Sequence, residues 1–287
     1  MGYLSISNLY KFQDILEFKR VYAMEKVHGT SAHISFKEGK VHFFSGGEKH
    51  DNFIKLFDED KLLDVFKSFN QETVVVFGEA YGGKQQGMSA TYGKQLRFVA
   101  FDVKMGDYWL DVPKADKVAL KLGLSFVPYE LVSTDISVLD FERDRPSRVA
   151  KLCGIVEDKP AEGIVIRPVM EVRLNNGERM IAKHKRSDFS ERTSKTDTKV
   201  VDPNKMKVLS DAQEIADEWV TPMRLNHILG KVDKEFGMED MPFVIRSMIE
   251  DIMKESSGEI VDSKEARKAI AGNTSKLFAQ HLKNKLF

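Results

Sequence analysis

Along the first two hundred or so residues, short β-branched and aromatic runs alternate with glycine-rich or charged breaks. From about 209 onward the apolar residues fall at helical spacing instead. Residues 1–20 read as a lead-in helix or turn, and an apolar run over 21–24 leads straight to Lys26. Apolar runs over 33–36 and 41–44 flank Lys37-Glu38-Gly39-Lys40, which predicts a β-hairpin with the glycine at positive φ. Leu62, Leu63 and Phe66 predict a surface helix over 58–69. Strands are expected over 73–77, 96–103 and 126–132, with 108–110 pairing back after a turn at Gly106. Asp111 should cap a helix that reaches Leu122 and stops at Gly123. A helix over 137–153 and a strand over 163–168 follow, then a turn at Asn175-Asn176-Gly177 ahead of a strand over 179–184. Thr221-Pro222 joins an N-cap to a proline at the first helical position, and Phe243, Ile245, Met248, Ile249 and Ile252 mark a further helix. The pattern predicts an α+β main domain over 1–203 and an all-helical domain over 204–287. They divide where Asp202-Pro203-Asn204 punctuates a Lys/Thr/Ser-rich linker.

Composition adds bounds rather than identity. A chain of 287 residues, 42% hydrophobic and carrying 19 Phe, can bury a sizeable core. Lys+Arg and Asp+Glu both number 44, so a polyanionic partner must be held by a local basic groove and not by net charge. The single cysteine, Cys153, excludes an intramolecular disulfide and a Cys-based zinc site and favours a reducing compartment. It lies in an apolar helical pattern, as a small core hydrophobe would. With no signal peptide and no long apolar span, the expectation is a soluble cytoplasmic protein without a membrane partner, and a monomer.

Polar residues of chemical interest recur where apolar runs end. In Glu25-Lys26-Val27-His28-Gly29-Thr30, Gly29 allows the backbone to turn sharply beside a lysine that must reach a phosphate. Glu79 closes an apolar strand ahead of Gly82-Gly83, where it either binds a ribose hydroxyl or a metal or is merely solvated. Phe101-Asp102 offers a ring for a purine face and a carboxylate beside it, or else a core Phe next to a surface Asp. Glu162 precedes Gly163 at a strand start, and two converging carboxylates would suit Mg²⁺, which takes a few carboxylates plus phosphate oxygens and water. Lys183-His184-Lys185 sets two ammonium groups on one strand face, an arrangement that an anion would relieve, though an exposed basic strand reads the same way.

Taken together, Lys26-Val27-His28-Gly29, Phe77-Gly78-Glu79, Phe101-Asp102, Glu162-Gly163 and Lys183-His184-Lys185 resemble motifs I, III, IIIa, IV and V of the covalent nucleotidyltransferases. That superfamily comprises DNA ligases, RNA ligases and mRNA capping enzymes. Within it, Glu-Lys-Val-His-Gly-Thr and the segment from Lys183 to Glu191 resemble the RNA ligase 2 family. The tail around Arg224-Leu225-Asn226-His227 is similar to that family's C-terminal helical domain. DNA ligases and capping enzymes carry an OB-fold and a basic motif VI after motif V. Here the tail reads helical, and Arg186-Ser187-Asp188 sits too close to Lys185 for that role. Two departures concern RNA-end binding. Ser31 stands where the family commonly has Asn, and Ser45-Gly46-Gly47-Glu48 lacks the usual arginine, so the glycine N–H groups or Lys49 would grip phosphate there.

The resemblance implies an ATP-grasp-like nucleotidyltransferase domain of antiparallel sheets with flanking helices. It implies an ATP-dependent RNA ligase that joins 3′-OH and 5′-phosphate ends at nicks in duplex RNA or an RNA/DNA hybrid. Such an enzyme serves RNA repair and works through lysyl–AMP and 5′-adenylylated RNA. Its nearest rivals are a DNA ligase, a capping nucleotidyltransferase and a catalytically dead RNA-binding relative. By the same resemblance Lys26 is the nucleophile, and Lys183 and Lys185 stabilise charge on the α-phosphate. Glu25, Lys26, Val27, His28 and Gly29 would surround ATP, together with Glu79, Phe101, Glu162, Lys183 and Lys185. Glu79 and Glu162 would hold Mg²⁺, or Mn²⁺ in its place. Thr30, Ser31, Ser45, Lys49, Asp102 and Arg224 would contact the RNA ends. A chain truncated near Lys207 should therefore still form lysyl–AMP but seal nicked duplex RNA poorly. A gel-based sealing assay on that fragment checks this, and unimpaired sealing would refute the division of labour.

Overall fold

Strands with one apolar face pair into two five-stranded sheets, almost wholly antiparallel. In this computed structural model residues 2–190, 210–232 and 234–285 are described. The strands, in chain order, are β1 (Ser7–Asn8), β2 (Arg20–Lys26), β3 (Thr30–Lys37), β4 (Lys40–Phe44), β5 (Thr73–Tyr81), β6 (Arg97–Met105), β7 (Tyr108–Trp109), β8 (Tyr129–Ser133), β9 (Gly163–Pro168) and β10 (Ala182–Lys185). One sheet runs β1-β10-β9-β2-β8, and the other β4-β3-β5-β6-β7. Only the short β1–β10 pair is parallel. The hairpin between β3 and β4 turns through Glu38 and Gly39, both at positive φ, as its Gly-containing turn requires.

Helices cover the sheets. They are α1 (His50–Ile54), α2 (Glu59–Ser68), α3 (Ser89–Tyr92), α4 (Val112–Lys121), α5 (Ile136–Asp144) and α6 (Arg148–Leu152). Asp58 caps α2 and Asp111 caps α4, each accepting a backbone N–H three residues on. Leu62 and Phe66 of α2 and Ala115 and Ala119 of α4 close one core against Ile34, Val74, Val76 and Val103. A second core takes Tyr22, Met24 and Val27 from one sheet and Tyr81, Val99 and Tyr92 from the other side. Because it draws on both sheets, this cluster fixes how the end of β2 faces β5.

The chain divides into Met1–Arg186 and Ser187–Phe287, and the boundary expected at 203 lies outside the described residues. The second unit holds α7 (Ala212–Trp219), α8 (Pro222–Leu229), α9 (Met241–Glu255) and α10 (Lys264–Lys285). Ile215, Trp219, Leu225, Val244, Met248, Ile252, Ile270 and Phe278 form its core. Thr221 caps α8 ahead of Pro222, as the sequence predicts. No helix among the described residues is long and apolar enough to cross a membrane.

Several expectations shift. The lead-in contains β1, which hydrophobic pattern alone could not reveal in two residues. The helix expected over 137–153 is broken into α5 and α6, because Pro146 forces the preceding Arg145 into an extended conformation. The strand expected over 126–132 starts only at Tyr129, and the one over 179–184 is confined to β10. Phe243 of α9 remains exposed, and Val244 takes the core position.

The closest backbone approach in the first sheet lies at Gly163 in β9, which has φ +146°. A Cβ there would stand 2.2 Å from the His184 carbonyl oxygen and 2.8 Å from the Lys185 Cα. Gly163→Ala should therefore destabilise the first unit by about 1–3 kcal/mol, the usual range for forced overpacking. Urea unfolding followed by a probe in that unit measures it.

Candidate active site

Backbone hydrogen bonds assemble the site before any side chain does. Lys26 ends β2 opposite Gly163, and Glu162 stands immediately before β9. The Glu162 N–H donates to the Lys26 carbonyl at 3.2 Å, and the Arg186 N–H donates to the Glu162 carbonyl at 3.0 Å. Three segments distant in sequence thus meet at one peptide.

Their side chains converge on the Glu162 carboxylate. Lys26 Nζ lies 2.7 Å and His28 Nδ1 3.1 Å from Oε2, while Lys185 Nζ lies 3.1 Å from Oε1. Glu162 is almost fully buried. Burial opposes its charge, yet Lys26, Lys185 and His28 outweigh that cost, and the carboxyl is held well below the usual carboxylate range. Lys183, two residues before Lys185 on the same face of β10, is equally buried.

Glu79 behaves oppositely. It lies inside β5, which continues to Tyr81 instead of ending at the carboxylate as the apolar run suggested. Part of its surface is exposed, but its carboxyl sits deep enough for burial to dominate. Burial pushes its pKa up to about 8; Lys26 draws it down, Glu162 pushes it further up, and the Gly29 N–H, donating to Oε1 at 3.0 Å, draws it down again. The two carboxyls are driven apart, one protonated and one ionised at neutral pH. Gly29 is required here as well, because a Cβ would come within 2.3 Å of the Ala80 carbonyl oxygen.

Phe101 owes its position to an irregularity. Phe77 pairs with Asp102 and Gly78 with Ala100, so the β5–β6 register skips Phe101. Ala100 spends its N–H and carbonyl on Ser125 and Val127, which leaves the bulge at the next residue. Gly78 is obligatory opposite it, since a Cβ would meet the Phe98 ring at 2.3 Å. The half-buried Phe101 ring packs edge-on to Tyr3 at 4.9 Å.

The remaining predicted residues fall in different places. Glu25 turns away from Lys26. Its buried carboxylate accepts from the Ser147 hydroxyl and from the Arg148 and Val149 N–H groups, so it anchors β2 to the start of α6. Val27 is core. Ser31 is exposed on β3 directly opposite Glu79. Thr30 is buried, and its hydroxyl accepts the Gly47 N–H at 2.9 Å. Ser45 donates to the Glu48 carbonyl, and the Glu48 N–H returns to the Ser45 carbonyl. The amides of Gly47 and Glu48 are therefore engaged inside the turn, so of the glycine N–H groups expected to grip phosphate there, that of Gly47 already has a partner. Lys49 follows that turn at the head of α1.

Asp102 is not at the surface. It is fully buried, and it accepts from Arg167 at 2.9 Å, Arg179 at 2.6 Å, Tyr3 at 2.7 Å and the Val103 N–H. Arg179 also lies 4.0 Å from the Trp109 ring centre. Arg224 is buried too: it pairs with Asp251, donates to the Trp219 carbonyl and stacks over that indole. Both geometries are structural, and neither residue reaches a nucleic-acid end from where it stands. Sequence reasoning missed Tyr3, Arg167, Arg179 and Tyr92, whose hydroxyl accepts the His28 N–H. The signal for Arg167 was present, since an arginine inside an apolar strand demands a buried partner.

A family model described as RNA ligase matches residues 19–185, which takes in Lys26, Glu79, Phe101, Glu162 and Lys185. Among solved structures, the chain is similar to a Naegleria gruberi RNA ligase with PPi. The identity is 14% and the TM-score 0.52, over 66% of this chain and 57% of that one. A mutant of the same ligase with ATP and Mn gives 14% identity and a TM-score of 0.51, over 66% and 56%. The likeness is one of fold, and this chain spans a little over half of the Naegleria chain.

Glu79 gives the site a pH signature. Its folded-state pKa exceeds the ordinary value of 4.5, so the folded protein binds the extra proton between about pH 4.5 and 8. Stability contributed by this group is intact below that window and falls as pH rises through it. Glu79→Gln should flatten the fall, with a difference in slope of at most about 1.36 kcal/mol per pH unit. Urea unfolding of both proteins at pH 5 and pH 8 measures the change; parallel slopes would contradict it.

Proposed function

The chain belongs to the RNA ligase family, and on that premise we propose that it is an ATP-dependent RNA ligase with Lys26 as its nucleophile. One observation carries the reading: Lys26, His28 and Lys185 converge on a single buried carboxylate at the meeting point of three distant segments. A structural ion pair has no need of two lysines on one acid. A lysine that must attack a phosphate, beside cations that receive the phosphate's charge, has that need.

In the first step the neutral Lys26 amine attacks the α-phosphorus of ATP. An N–P bond forms, the bond to pyrophosphate breaks, and the lysine proton leaves. Lys183 and Lys185 stabilise the charge that builds on the non-bridging oxygens. Phe101, turned by its bulge, offers a face to the adenine. In the second step the 5′-phosphate of RNA displaces Lys26 from phosphorus, giving a 5′–5′ pyrophosphate. In the third a 3′-OH attacks that activated phosphate and AMP departs. A complementary strand spanning the nick holds both ends in line, which turns an encounter into an oriented attack. Duplex RNA with a nick is therefore the proposed substrate.

A divalent cation, Mg²⁺ or Mn²⁺, would supply charge neutralisation at the phosphates. Glu79 fits it as a ligand, because its carboxyl lies beside the Lys26 end of β2 with Oε1 held by the Gly29 N–H, and a cation would offset the burial that opposes its charge. Glu162 fits less well, since Lys26, His28 and Lys185 already engage both of its oxygens. Ser31, opposite Glu79, is the proposed contact nearest the incoming RNA end.

With α-labelled ATP and Mg²⁺, the wild type should retain label on a denaturing gel and Lys26→Ala should not. Lys183→Ala and Lys185→Ala should each slow labelling by about 10²–10³-fold, the cost of losing one donor to a transition-state oxyanion. Label that survives in Lys26→Ala would remove the nucleophile assignment.

A further inference from the structure

Lys183 and Lys185 sit on a short strand that its two neighbouring strands pair over unequal lengths. β9 pairs with all four residues of β10, but on the other side β1 pairs only with Ala182 and Lys183. Among the described residues, the ladder at His184 and Lys185 runs to β9. Side chains alternate along a strand, so His184 points to the face opposite the two lysines. There it meets α5. Its Nε2 lies 2.7 Å from Asp140 Oδ1 and 3.0 Å from Arg143 Nη1, and Arg143 itself donates to Asp140 at 2.7 Å and pairs with Asp144 at 2.6 Å. One residue beyond Lys185, Arg186 donates to the Asp144 carbonyl at 2.9 Å. Asp140, Arg143 and Asp144 occupy one turn of α5, so a single helical turn grips β10 on both sides of Lys185. His184 is almost fully buried, and burial holds its imidazole toward the neutral form, whose tautomer decides whether Nε2 donates to Asp140 or accepts from Arg143.

We propose that His184, clamped by Asp140 and Arg143 of α5, is a positioning residue that fixes where Lys183 and Lys185 present their ammonium groups. The inference rests on the ligase reading above, and it assigns the middle residue of the Lys-His-Lys triplet a role that neither lysine can perform. An apolar residue of similar volume would fill the space behind β10 but remove its polar link to α5, leaving the Asp140 carboxylate to Arg143. The strand would then be free to shift along α5, and displacement of a charge-stabilising group by even an ångström costs about a hundredfold in rate. ATP binding, which draws on many contacts, would change little.

The test is single-turnover formation of lysyl–AMP by the full chain, with rate and half-saturating ATP concentration measured separately. His184→Leu should lower the saturating rate by about tenfold to a hundredfold with half-saturation nearly unchanged, and the thermal midpoint reports folding alongside. His184→Gln, whose amide reaches the same carboxylate, should recover most of the rate. Should His184→Leu fail to fold, Asp140→Asn at its half-exposed position carries the same prediction in milder form. A wild-type rate in folded His184→Leu, or a rise in the half-saturating ATP concentration alone, overturns the proposal while leaving the ligase reading intact. Failure of the wild type to take label from ATP overturns both.

Discussion

A carboxylate buried away from water is tolerated only if other charges replace its solvation, and Glu162 sets that demand where β2, β9 and β10 meet. Lys26 and His28 answer it from one segment and Lys185 from another. The end of β2, the start of β9 and the end of β10 are consequently bound to each other by electrostatics as well as by the ladder. Removing Glu162 would leave two ammonium groups facing each other in a low-dielectric recess. Any anion that then entered would find a site built for negative charge, which is why the proposed phosphate site lies here.

A second buried centre does comparable work elsewhere between the sheets. Asp102 of β6 takes two guanidinium groups, from Arg167 of β9 and from Arg179, and Glu171 accepts further bonds from both. Two cations and two anions balance in charge, although the Arg167 Nε has no partner among the described residues. Tyr3 is drawn in by the same carboxylate and packs against Phe101. The aromatic ring proposed to meet the adenine therefore rests on a residue whose own position is fixed by an ion network from the other sheet.

Much of this was legible in the sequence where local rules decide structure. The Glu38-Gly39 hairpin, the Asp111 and Thr221 caps and the alternation that set the strands all depend on near neighbours. So does the order of the lysine and carboxylate motifs, which led to the family and to the Glu162 cluster. What failed to show depends on distance. Asp102 beside Phe101 reads as a surface acid until the two arginines from beyond residue 160 arrive, and Arg224 reads as a nucleic-acid contact until Asp251 claims it. The bulge at Phe101 was invisible because it arises from hydrogen bonds to residues 125 and 127, not from any residue of β6 itself. The pattern of the Ser45–Lys49 turn suggested open amides, and only tertiary contact with Thr30 shows that of Gly47 occupied.

The peptide of Glu162, hydrogen-bonded to Lys26 on one side and to Arg186 on the other, has a consequence for how the molecule can change. The spacing between nucleophile, acid and flanking cations is set by main-chain geometry, which every sequence shares, and not by the fit of one side chain against another. Core positions behind the sheets can drift among hydrophobic residues, gaining or losing stability, while the reacting groups keep their separations. The site is insulated from the packing that supports it, so the chain has wide latitude to diverge in sequence around a fixed constellation of polar atoms.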